Sequence, residues 1–245
     1  TGGFVSVPTV IASRGIDTVI THEQTAIVGL ANRINARFAE VLAISYAETE
    51  PEARRFHQNV ALTGNPVRTA LQEGDRARGL QWMGFSEDLP VMYVTGGARG
   101  ASPLNQRIAS KLTQILEHWQ LLHQTGPASA NDDAANLATQ RAALPAHLQQ
   151  RYKIVEFIRS ELPDVYAAAD LVIGRAGAGT VAELALVGKP AILIPLPGAG
   201  GDEHVVLDDV VLRHAALAQA VEVLHQVADG EVGRVALAAV AELLA

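Results

Sequence analysis

A cluster of small residues in the second half of the chain lies between a strand pattern and a helix pattern. Within residues 171–196, an apolar run of strand length is followed by Arg-Ala-Gly-Ala-Gly-Thr at 175–180, and the helix that begins there carries Glu183. A loop without bulky side chains lets phosphates approach the free N–H groups at the positive end of a helix dipole. An acid one turn further along can accept hydrogen bonds from ribose hydroxyls. The spacing therefore indicates a nucleotide site.

The same residues also permit a purely structural interpretation. Thr180 would then cap the first turn of the helix, Glu183 would complement the helix dipole, and Arg175 would pair with a nearby acid. We favour the binding interpretation, because a loop built from Ala and Gly suits the close approach of a ligand.

A second glycine cluster, Gly-Gly-Ala-Arg-Gly at 96–100, follows the strand pattern of residues 91–94 and precedes a helix. It can cradle a diphosphate, or it can be a tight turn in which glycine only permits the backbone angles. The cluster lacks the Gly-x-Gly-x-x-Gly spacing of dinucleotide-binding folds, and no acid ends the next strand about 20 residues later. NAD is therefore not expected, and no other cofactor is predicted.

Polar residues also follow the ends of other predicted strands. His22 and Glu23 come after a strand pattern at 17–21, at the strand end where α/β enzymes collect catalytic residues. His22 can act as a general base oriented by Glu23, or both can belong to a polar loop. Arg68 follows the turn signal Gly-Asn-Pro at 64–66 and can clamp a phosphate or simply begin a helix.

Two observations bear on metal ions. Asp-Glu-His at 202–204 resembles a metal cluster, but consecutive residues of a strand cannot all point at one ion, and a sugar-contacting loop is the better interpretation. No Asp-x-Asp pair occurs in the sequence. Metal-dependent glycosyl transfer usually needs such a pair to hold the diphosphate. We therefore expect no metal, with helix dipoles and Arg in its place.

Strand and helix patterns alternate along the chain, which predicts α/β domains with parallel sheets and right-handed crossovers. Helix patterns cover residues 6–13, 67–71 and 162–169, residues 72–88 are predicted to be a polar link, and the tail from residue 208 has a helical periodicity. Two sets of units predict two Rossmann-like domains, at 1–66 and 67–245, with ligands at the carboxyl ends of the strands.

The composition agrees with a large buried core, since 49% of the residues are hydrophobic and 18% are charged. The net charge of −7 argues against a general nucleic-acid binder. The sequence contains no Cys, which excludes disulfides, thiolate metal sites and Cys nucleophiles. It also has no apolar run of membrane-spanning length.

Taken together, these motifs resemble the MurG family of N-acetylglucosaminyltransferases. The resemblance extends to about residue 202, and residues 166–198 are its most specific part. The matching segments, in the order of the family, are GGFVSVP at 2–8, HEQ at 22–24 with GLANR at 29–33, TGNPVR at 63–68, VTGGARGASPLN at 94–105, HQTG at 123–126, EFI at 156–158, YAAADLVIGRAGAGTVAE at 166–183 and GKPAILIPLPG at 188–198.

The resemblance implies a fold, a reaction and partners. The fold would be of the glycosyltransferase B type, with an incomplete acceptor domain at 1–66 and a donor domain at 67–245. The reaction would be an inverting, metal-independent transfer of N-acetylglucosamine from UDP-N-acetylglucosamine to lipid I (undecaprenyl-pyrophosphoryl-MurNAc-pentapeptide). Its product, lipid II, would serve bacterial peptidoglycan and cell wall biogenesis, cell shape and cell division. The enzyme would be cytoplasmic, bound peripherally to the cytoplasmic membrane surface, and nucleic acid is not an implied partner.

The resemblance also assigns site residues. His22 and Glu23 are the catalytic candidates. Glu183 would bind the ribose hydroxyls, Phe157 and Ile158 would flank the uracil, and Asn105 would support the glycine cluster at 96–100. All residues that we expect to bind or shape the site for substrate are Thr25, Asn32, Arg68, Gly97, Ala98, Asn105, Phe157, Ile158, Arg175, Ala178, Gly179, Thr180, Val181, Ala182, Glu183 and His204.

The sequence departs from the family at several of these positions. Thr25 stands where the family has Asn, Ala98 replaces a Ser, and His204 replaces a Gln that contacts the sugar. The family's first glycine-rich loop, which carries a candidate general-base His, would precede residue 1, so we expect a fragment with little or no turnover. Two alternatives stay open: a non-catalytic UDP-sugar-binding fragment, and a related glycosyltransferase B enzyme such as a nucleotide-sugar epimerase or a glycolipid synthase.

Overall fold

The computed structural model describes Gly3, residues 5–129 and residues 132–194. These residues form two compact units, the first ending at Val67 and the second beginning at Arg68. Each unit contains a parallel sheet with helices between its strands, which confirms the predicted α/β class. Among the described residues, no helix combines the length and the hydropathy that crossing a bilayer requires.

The first unit contains a sheet of three parallel strands in the order β1-β2-β3. A core of apolar side chains that includes Val28, Leu42 and Ile44 lies against the sheet. The strands are β1 (Ile20–Glu23), β2 (Val41–Ile44) and β3 (Val60–Leu62); the helices are α1 (Ser6–Ser13), α2 (Leu30–Asn35) and α3 (Glu50–Ala53), with a 3₁₀ helix at Ala47–Thr49.

The second unit begins with a 3₁₀ helix, Thr69–Glu73, and continues as alternating helices and strands. The helices are α4 (Arg76–Met83), α5 (Ser102–Ser110), α6 (Leu112–His118), α7 (Asp133–Ala142), α8 (Ala146–Gln149), α9 (Leu162–Ala168) and α10 (Ala178–Val187). The strands are β4 (Val91–Thr95), β5 (Gln120–Gln124), β6 (Tyr152–Val155), β7 (Leu171–Arg175) and β8 (Ala191–Ile194).

These five strands are parallel and lie in the order β6-β5-β4-β7-β8. The chain therefore builds the sheet outward from β4 in one direction and then returns to add β7 on the other side of β4. At such a switch point the loops that follow the two central strands leave toward opposite faces, and a crevice opens between them. Thr95 and Gly174 are paired at this edge of the sheet.

Both faces of the second sheet are apolar, as buried parallel strands require. Met92 and Val94 belong to one core cluster, while Val91 and Tyr93 belong to the cluster on the other face. This alternation follows the two-residue period of a strand. It fixes which side chains of β4 can reach the crevice.

The expected polar link at 72–88 is wrong, because it contains α4. Asp75 accepts a hydrogen bond from the backbone N–H of Arg78 at 2.8 Å and so caps the helix. Arg78 in turn forms an ion pair with Asp164 of α9 at 2.7 Å. The helix predicted at 67–71 is instead the short 3₁₀ helix at Thr69–Glu73, two residues later, and the tail from residue 208 lies outside the described residues.

Candidate functional site

A cleft of about 640 Å³ opens at the carboxyl ends of β4 and β7 in the second unit. Three segments form its walls: the glycine cluster after β4, the first turns of α10, and the loop that leads into α9. The residues that line it are Arg68, Tyr93, Thr95, Gly97, Ala98, Gln124, Phe157, Ile158, Arg159, Ser160, Leu162, Tyr166, Gly179, Thr180 and Glu183. Eight of these were predicted from the sequence to bind substrate.

The glycine cluster forms a tight, left-handed loop. Gly97 and Gly100 have φ angles of 77° and 75°, values that favour glycine. The N–H of Gly97 donates to the Thr95 hydroxyl at 3.0 Å, and the N–H of Gly100 donates to the Gly97 carbonyl at 3.1 Å. A side chain at Gly126 would lie 2.5 Å from the Gly100 Cα, so the loop after β5 supports the cluster through direct backbone contact.

The N-terminus of α10 has the properties of an anion site. Its N-cap, Gly177, has no side chain to satisfy the first N–H groups of the helix. A Cβ at Gly177 or Gly179 would meet no other atom within 4 Å, so space is open in front of the first turn. The structural alternative, in which Thr180 caps this helix, does not describe α10, since the cap position is Gly177 without a side-chain hydrogen bond. The helix dipole favours negative charge here.

Glu183 lies on α10 one turn further into the helix, at the side of the cleft. Its Oε2 accepts a hydrogen bond from the Tyr166 hydroxyl at 3.1 Å, and its Oε1 lies 3.5 Å from the Arg68 guanidinium. The Glu183 side chain is 24% exposed, whereas that of Arg68 is 61% exposed. Glu183 therefore has one buried partner and one exposed cationic partner, and its carboxylate remains accessible to hydroxyl donors.

Seven lining residues were missed by sequence reasoning, and three of them, Tyr93, Gln124 and Tyr166, form one network. The Tyr93 hydroxyl donates to Gln124 Oε1 at 2.8 Å, and Gln124 Nε2 donates to the Gly97 carbonyl at 3.3 Å. The rings of Tyr93 and Tyr166 meet edge to face, with centroids 5.9 Å apart. A polar Gln at the end of an apolar strand was the available signal for this network. The register that brings it beside Tyr93 was not readable from one sequence.

The loop before α9 supplies an apolar wall. Phe157 is 47% exposed and Ile158 is buried, with both side by side at the cleft. The Arg159 guanidinium lies 5.6 Å from the centre of the Phe157 ring, within the range of a cation–π contact. A flat, partly exposed aromatic ring beside a buried aliphatic residue suits a planar base.

Asn105 does not line the cleft but belongs to a buried network beneath it. Its Nδ2 donates to the Thr125 carbonyl at 3.0 Å and to Asp133 at 2.7 Å, and its Oδ1 lies 3.0 Å from His123 Nε2. Burial lowers the pKa of His123 to about 4, so its ring is neutral. Nε2 then donates to Asn105, and Nδ1 accepts from the Tyr152 hydroxyl at 3.0 Å. This network holds the loop that supports the glycine cluster.

The other predicted donor-side residues are not among those that line the cleft. Arg175 ends β7, Ala178 begins α10, and Val181 is buried in the helix interface. Ala182 lies beside Glu183 on the same helix. His204 lies outside the described residues.

In the first unit, Glu23 does not orient His22. Its buried carboxylate instead accepts hydrogen bonds from the Thr25 N–H and hydroxyl at 3.0 and 2.8 Å, the Gly29 N–H at 2.8 Å and the Asn32 amide at 2.8 Å. The reason is that consecutive strand residues point to opposite faces of a sheet. Glu23, Thr25 and Asn32 together fix the loop between β1 and α2.

The His22 imidazole contacts residues that follow the ends of β2 and β3. Its Nε2 lies 3.0 Å from the Gly64 carbonyl and 3.4 Å from the Ser45 hydroxyl. A carbonyl only accepts, so Nε2 carries the proton in this arrangement. Nδ1 is then the ring nitrogen that can take up a proton.

Within the part of the chain that the structure describes, no cluster of three or more His, Asp or Glu residues could hold a metal ion. The charges at the cleft come instead from Arg68, Arg159 and Glu183.

Comparison with known proteins shows similarity to glycosyltransferases. Residues 91–229, more than half of the chain, match the model of the glycosyltransferase family 28 C-terminal domain. The chain is 42% identical over 199 residues to a UDP-N-acetylglucosamine–N-acetylmuramyl-(pentapeptide) pyrophosphoryl-undecaprenol N-acetylglucosamine transferase of Treponema pallidum, covering 80% of this chain and 50% of that protein. A transferase of the same description from Bacillus cereus is 35% identical over 196 residues, with coverages of 80% and 52%.

The crystal structure of Acinetobacter baumannii MurG is similar with a TM-score of 0.57 and 25% sequence identity, covering 100% of this chain and 63% of that one. The chain spans about half the length of the curated relatives it matches.

Proposed function

We propose that this chain, which belongs to the family of the glycosyltransferase family 28 C-terminal domain, binds UDP-N-acetylglucosamine in the cleft of its second unit. The observation that carries the proposal is the convergence of the glycine cluster and the start of α10 on one crevice at the switch point of the sheet. A diphosphate would lie against these two backbone elements. The ribose would reach Glu183, and the uracil would lie beside Phe157 and Ile158.

The reaction that fits this donor is transfer of the sugar to lipid I with inversion. The acceptor hydroxyl attacks the sugar C1 as the bond from C1 to the phosphate oxygen breaks, and UDP leaves with the electron pair. The developing charge on UDP would be stabilised by the dipole of α10 and by Arg68. Residues 67–245 would thus form the donor domain, and no metal is needed for this step.

Residues 1–66 would shape the acceptor side. His22, through Nδ1, is the candidate general base that takes the proton of the attacking hydroxyl. Glu23, through Thr25, Gly29 and Asn32, would hold the loop that faces the acceptor. The names of the relatives include a pyrophosphoryl-undecaprenol acceptor. Since such an acceptor is anchored in lipid, we place the protein peripherally at the cytoplasmic face of the membrane.

A transfer assay tests this function. The chain is incubated with UDP-N-acetylglucosamine labelled in the sugar and with lipid I in detergent micelles, and labelled lipid II is measured. We expect at most slow transfer by the unmodified chain, in keeping with the low turnover expected from its sequence, and the loss of that transfer in Glu183→Gln. Glu117→Gln removes the same charge from an exposed position near the end of α6, just before the first residue of β5 and outside the residues that line the cleft, and should retain activity. Donor binding without labelled lipid would favour the non-catalytic UDP-sugar-binding alternative.

A further inference from the structure

We propose that Tyr166 is a positioning residue that fixes the Glu183 carboxylate for recognition of the donor ribose. This inference rests on the proposed function and deepens it, since it concerns how the same cleft distinguishes a ribonucleotide. The carrying observation is the hydrogen bond from the Tyr166 hydroxyl to Glu183 Oε2 at 3.1 Å, between α9 and α10. Both side chains line the cleft.

Tyr166 can only act as a donor in this contact. The side chain is 3% exposed and packs in the core cluster beneath the cleft. Burial raises the pKa of its hydroxyl, and the nearby Glu183 charge acts in the same direction, so the phenol stays protonated. A neutral hydroxyl that donates to a carboxylate forms a charge-assisted hydrogen bond. Its direction is set by a ring that cannot move freely.

The ring is itself held by its neighbours. Tyr93 meets Tyr166 edge to face, at an interplanar angle of 70°, and the Tyr93 hydroxyl donates to Gln124. Each of the two tyrosines therefore supports a different wall of the cleft. Tyr166 holds the acid of α10, and Tyr93, through Gln124, holds the carbonyl of Gly97 in the glycine cluster.

The remaining partner of Glu183 is exposed to solvent and holds the carboxylate only weakly. Arg68 contacts Oε1 at 3.5 Å from a side chain that is 61% exposed, and exposed ion pairs of this kind contribute little. A glutamate on a helix surface has several accessible rotamers, and Tyr166 selects one of them. Oε1 and the second lone pair of Oε2 then remain available to the two ribose hydroxyls.

The experiment compares UDP with 2′,3′-dideoxyuridine diphosphate, which lacks both ribose hydroxyls. The full chain, Tyr166→Phe, Glu183→Ala and the double variant are titrated by calorimetry with each ligand. We expect Tyr166→Phe to weaken UDP binding about tenfold and dideoxy-UDP binding less than about twofold, because a misplaced carboxylate affects only the hydroxyl contacts. In the Glu183→Ala background, which leaves Tyr166 no acceptor to orient at position 183, Tyr166→Phe should leave the ratio of the two affinities unchanged.

Controls separate positioning from stability. Tyr93→Phe removes the other hydroxyl of the same aromatic pair and should change the affinities for both ligands equally. Tyr152→Phe removes a buried hydroxyl outside the cleft and calibrates the loss of thermal stability. Replacement of Tyr166 by 4-aminophenylalanine, which restores a neutral hydrogen-bond donor, should restore the ratio of the UDP and dideoxy-UDP affinities. If Tyr166→Phe does not fold, 4-fluorophenylalanine, which fills the volume of the hydroxyl without donating, takes its place.

Two results would overturn the inference while leaving the proposed donor site intact. One is an unchanged ratio of UDP to dideoxy-UDP affinity in a folded Tyr166→Phe. The other is equal binding of both ligands by the unmodified chain. Failure of the unmodified chain to bind UDP at all would overturn the proposed function together with this inference.

Discussion

At the residue scale, burial sets the protonation state of the polar groups that build the cleft. His123 is the clearest case, because its imidazole is fully buried and both ring nitrogens are committed to hydrogen bonds. Protonation would place a positive charge on a ring that is removed from solvent, and it would also turn Nδ1, which accepts from Tyr152, into a donor. The folded chain therefore resists protonation of this ring, and its pKa falls to about 4.

This shift predicts a pH dependence of stability. The ordinary pKa of His is about 6.5, so the unfolded chain takes up a proton below that pH while the folded chain does not until about pH 4. The free energy of unfolding should therefore decrease as the pH falls through this window, by on the order of 3 kcal/mol from His123.

Urea unfolding measured at several pH values checks this prediction. His123→Gln retains hydrogen-bonding groups but cannot titrate, and its stability should depend less steeply on pH between about 4 and 6.5. Parallel profiles for the two proteins would show that His123 is not the titrating group.

The residues of the cleft were predictable from sequence where spacing alone places them. Glu183 follows the small-residue loop by one helical turn, and Gly97 follows a strand directly, so one βα unit suffices to locate each. Tyr166 and Gln124 belong to other strand–helix segments of the second unit. They reach the cleft only because β5 and β7 flank β4. The supposed pairing of His22 with Glu23 failed because strand alternation separates neighbours in sequence.

At the element scale, close backbone contacts fix the loops of the site. Gly126 has a φ of +87°, and a Cβ there would lie 2.5 Å from the Gly100 Cα. Gly84 has a similar φ of +74° but open space around it, and it lies outside the cleft. The two glycines therefore share a left-handed backbone that would strain any residue with a side chain, and they differ in what that side chain would displace.

We predict that Gly126→Ala weakens UDP binding at least about tenfold, because the added carbon displaces the glycine cluster. Gly84→Ala is the matched control and should lose about 1 kcal/mol of stability while retaining the affinity for UDP. Calorimetric titration and thermal unfolding of both variants measure the two effects. Equal affinities for UDP in the two variants would contradict a supporting role for Gly126.

The contact between α4 and α9 gives a second prediction at this scale. A Cβ at Gly79 would lie 2.2 Å from the backbone oxygen of Asp164, so Gly79→Ala must push the helices apart. We expect a loss of about 1–3 kcal/mol in the free energy of unfolding. Ala77→Val adds carbon atoms to an exposed position of the same helix and should lower the free energy of unfolding by only about a few tenths of a kcal/mol. Urea unfolding measures the free energy of unfolding of both variants. Similar losses in the two would contradict the inference that Gly79 is needed for the close packing of α4 on α9.

The sequence predicted elements best where periodicity and flanking turns agree. The pattern at 6–13 matches α1, and the patterns at 91–94 and 162–169 match β4 and α9 to within one residue. The prediction from sequence failed at α4, because the polar surface and internal Gly of this helix resemble a linker. Tertiary contacts explain that helix, since Gly79 permits close packing on α9 and Arg78 pairs with Asp164.

At the scale of the whole molecule, the order of strands locates the site. Alternating patterns predicted parallel sheets, but neither the strand order nor the switch point between β4 and β7 could be deduced from one chain. The order depends on which crossover packs on which face, and that is decided by apolar clusters on both sides of the sheet. Once it is known, the cleft follows from general properties of α/β sheets.

A donor site built from backbone N–H groups and Arg should not depend on divalent cations. We predict that the affinity for UDP changes less than about threefold between buffers with EDTA and with Mg²⁺. Calorimetry in the two buffers measures this directly. A much larger gain in affinity with Mg²⁺ would show that a metal bridges the diphosphate to the protein.

Calorimetric titration of the full chain with UDP-N-acetylglucosamine and with UDP, repeated on Glu183→Gln and on the control Glu117→Gln, is the decisive measurement on the donor site. We predict binding of both ligands in the micromolar to sub-millimolar range, weakened about tenfold or more by Glu183→Gln and unchanged by Glu117→Gln. No binding by the folded chain, or binding that Glu183→Gln leaves untouched, would contradict the assignment of this cleft as the donor site.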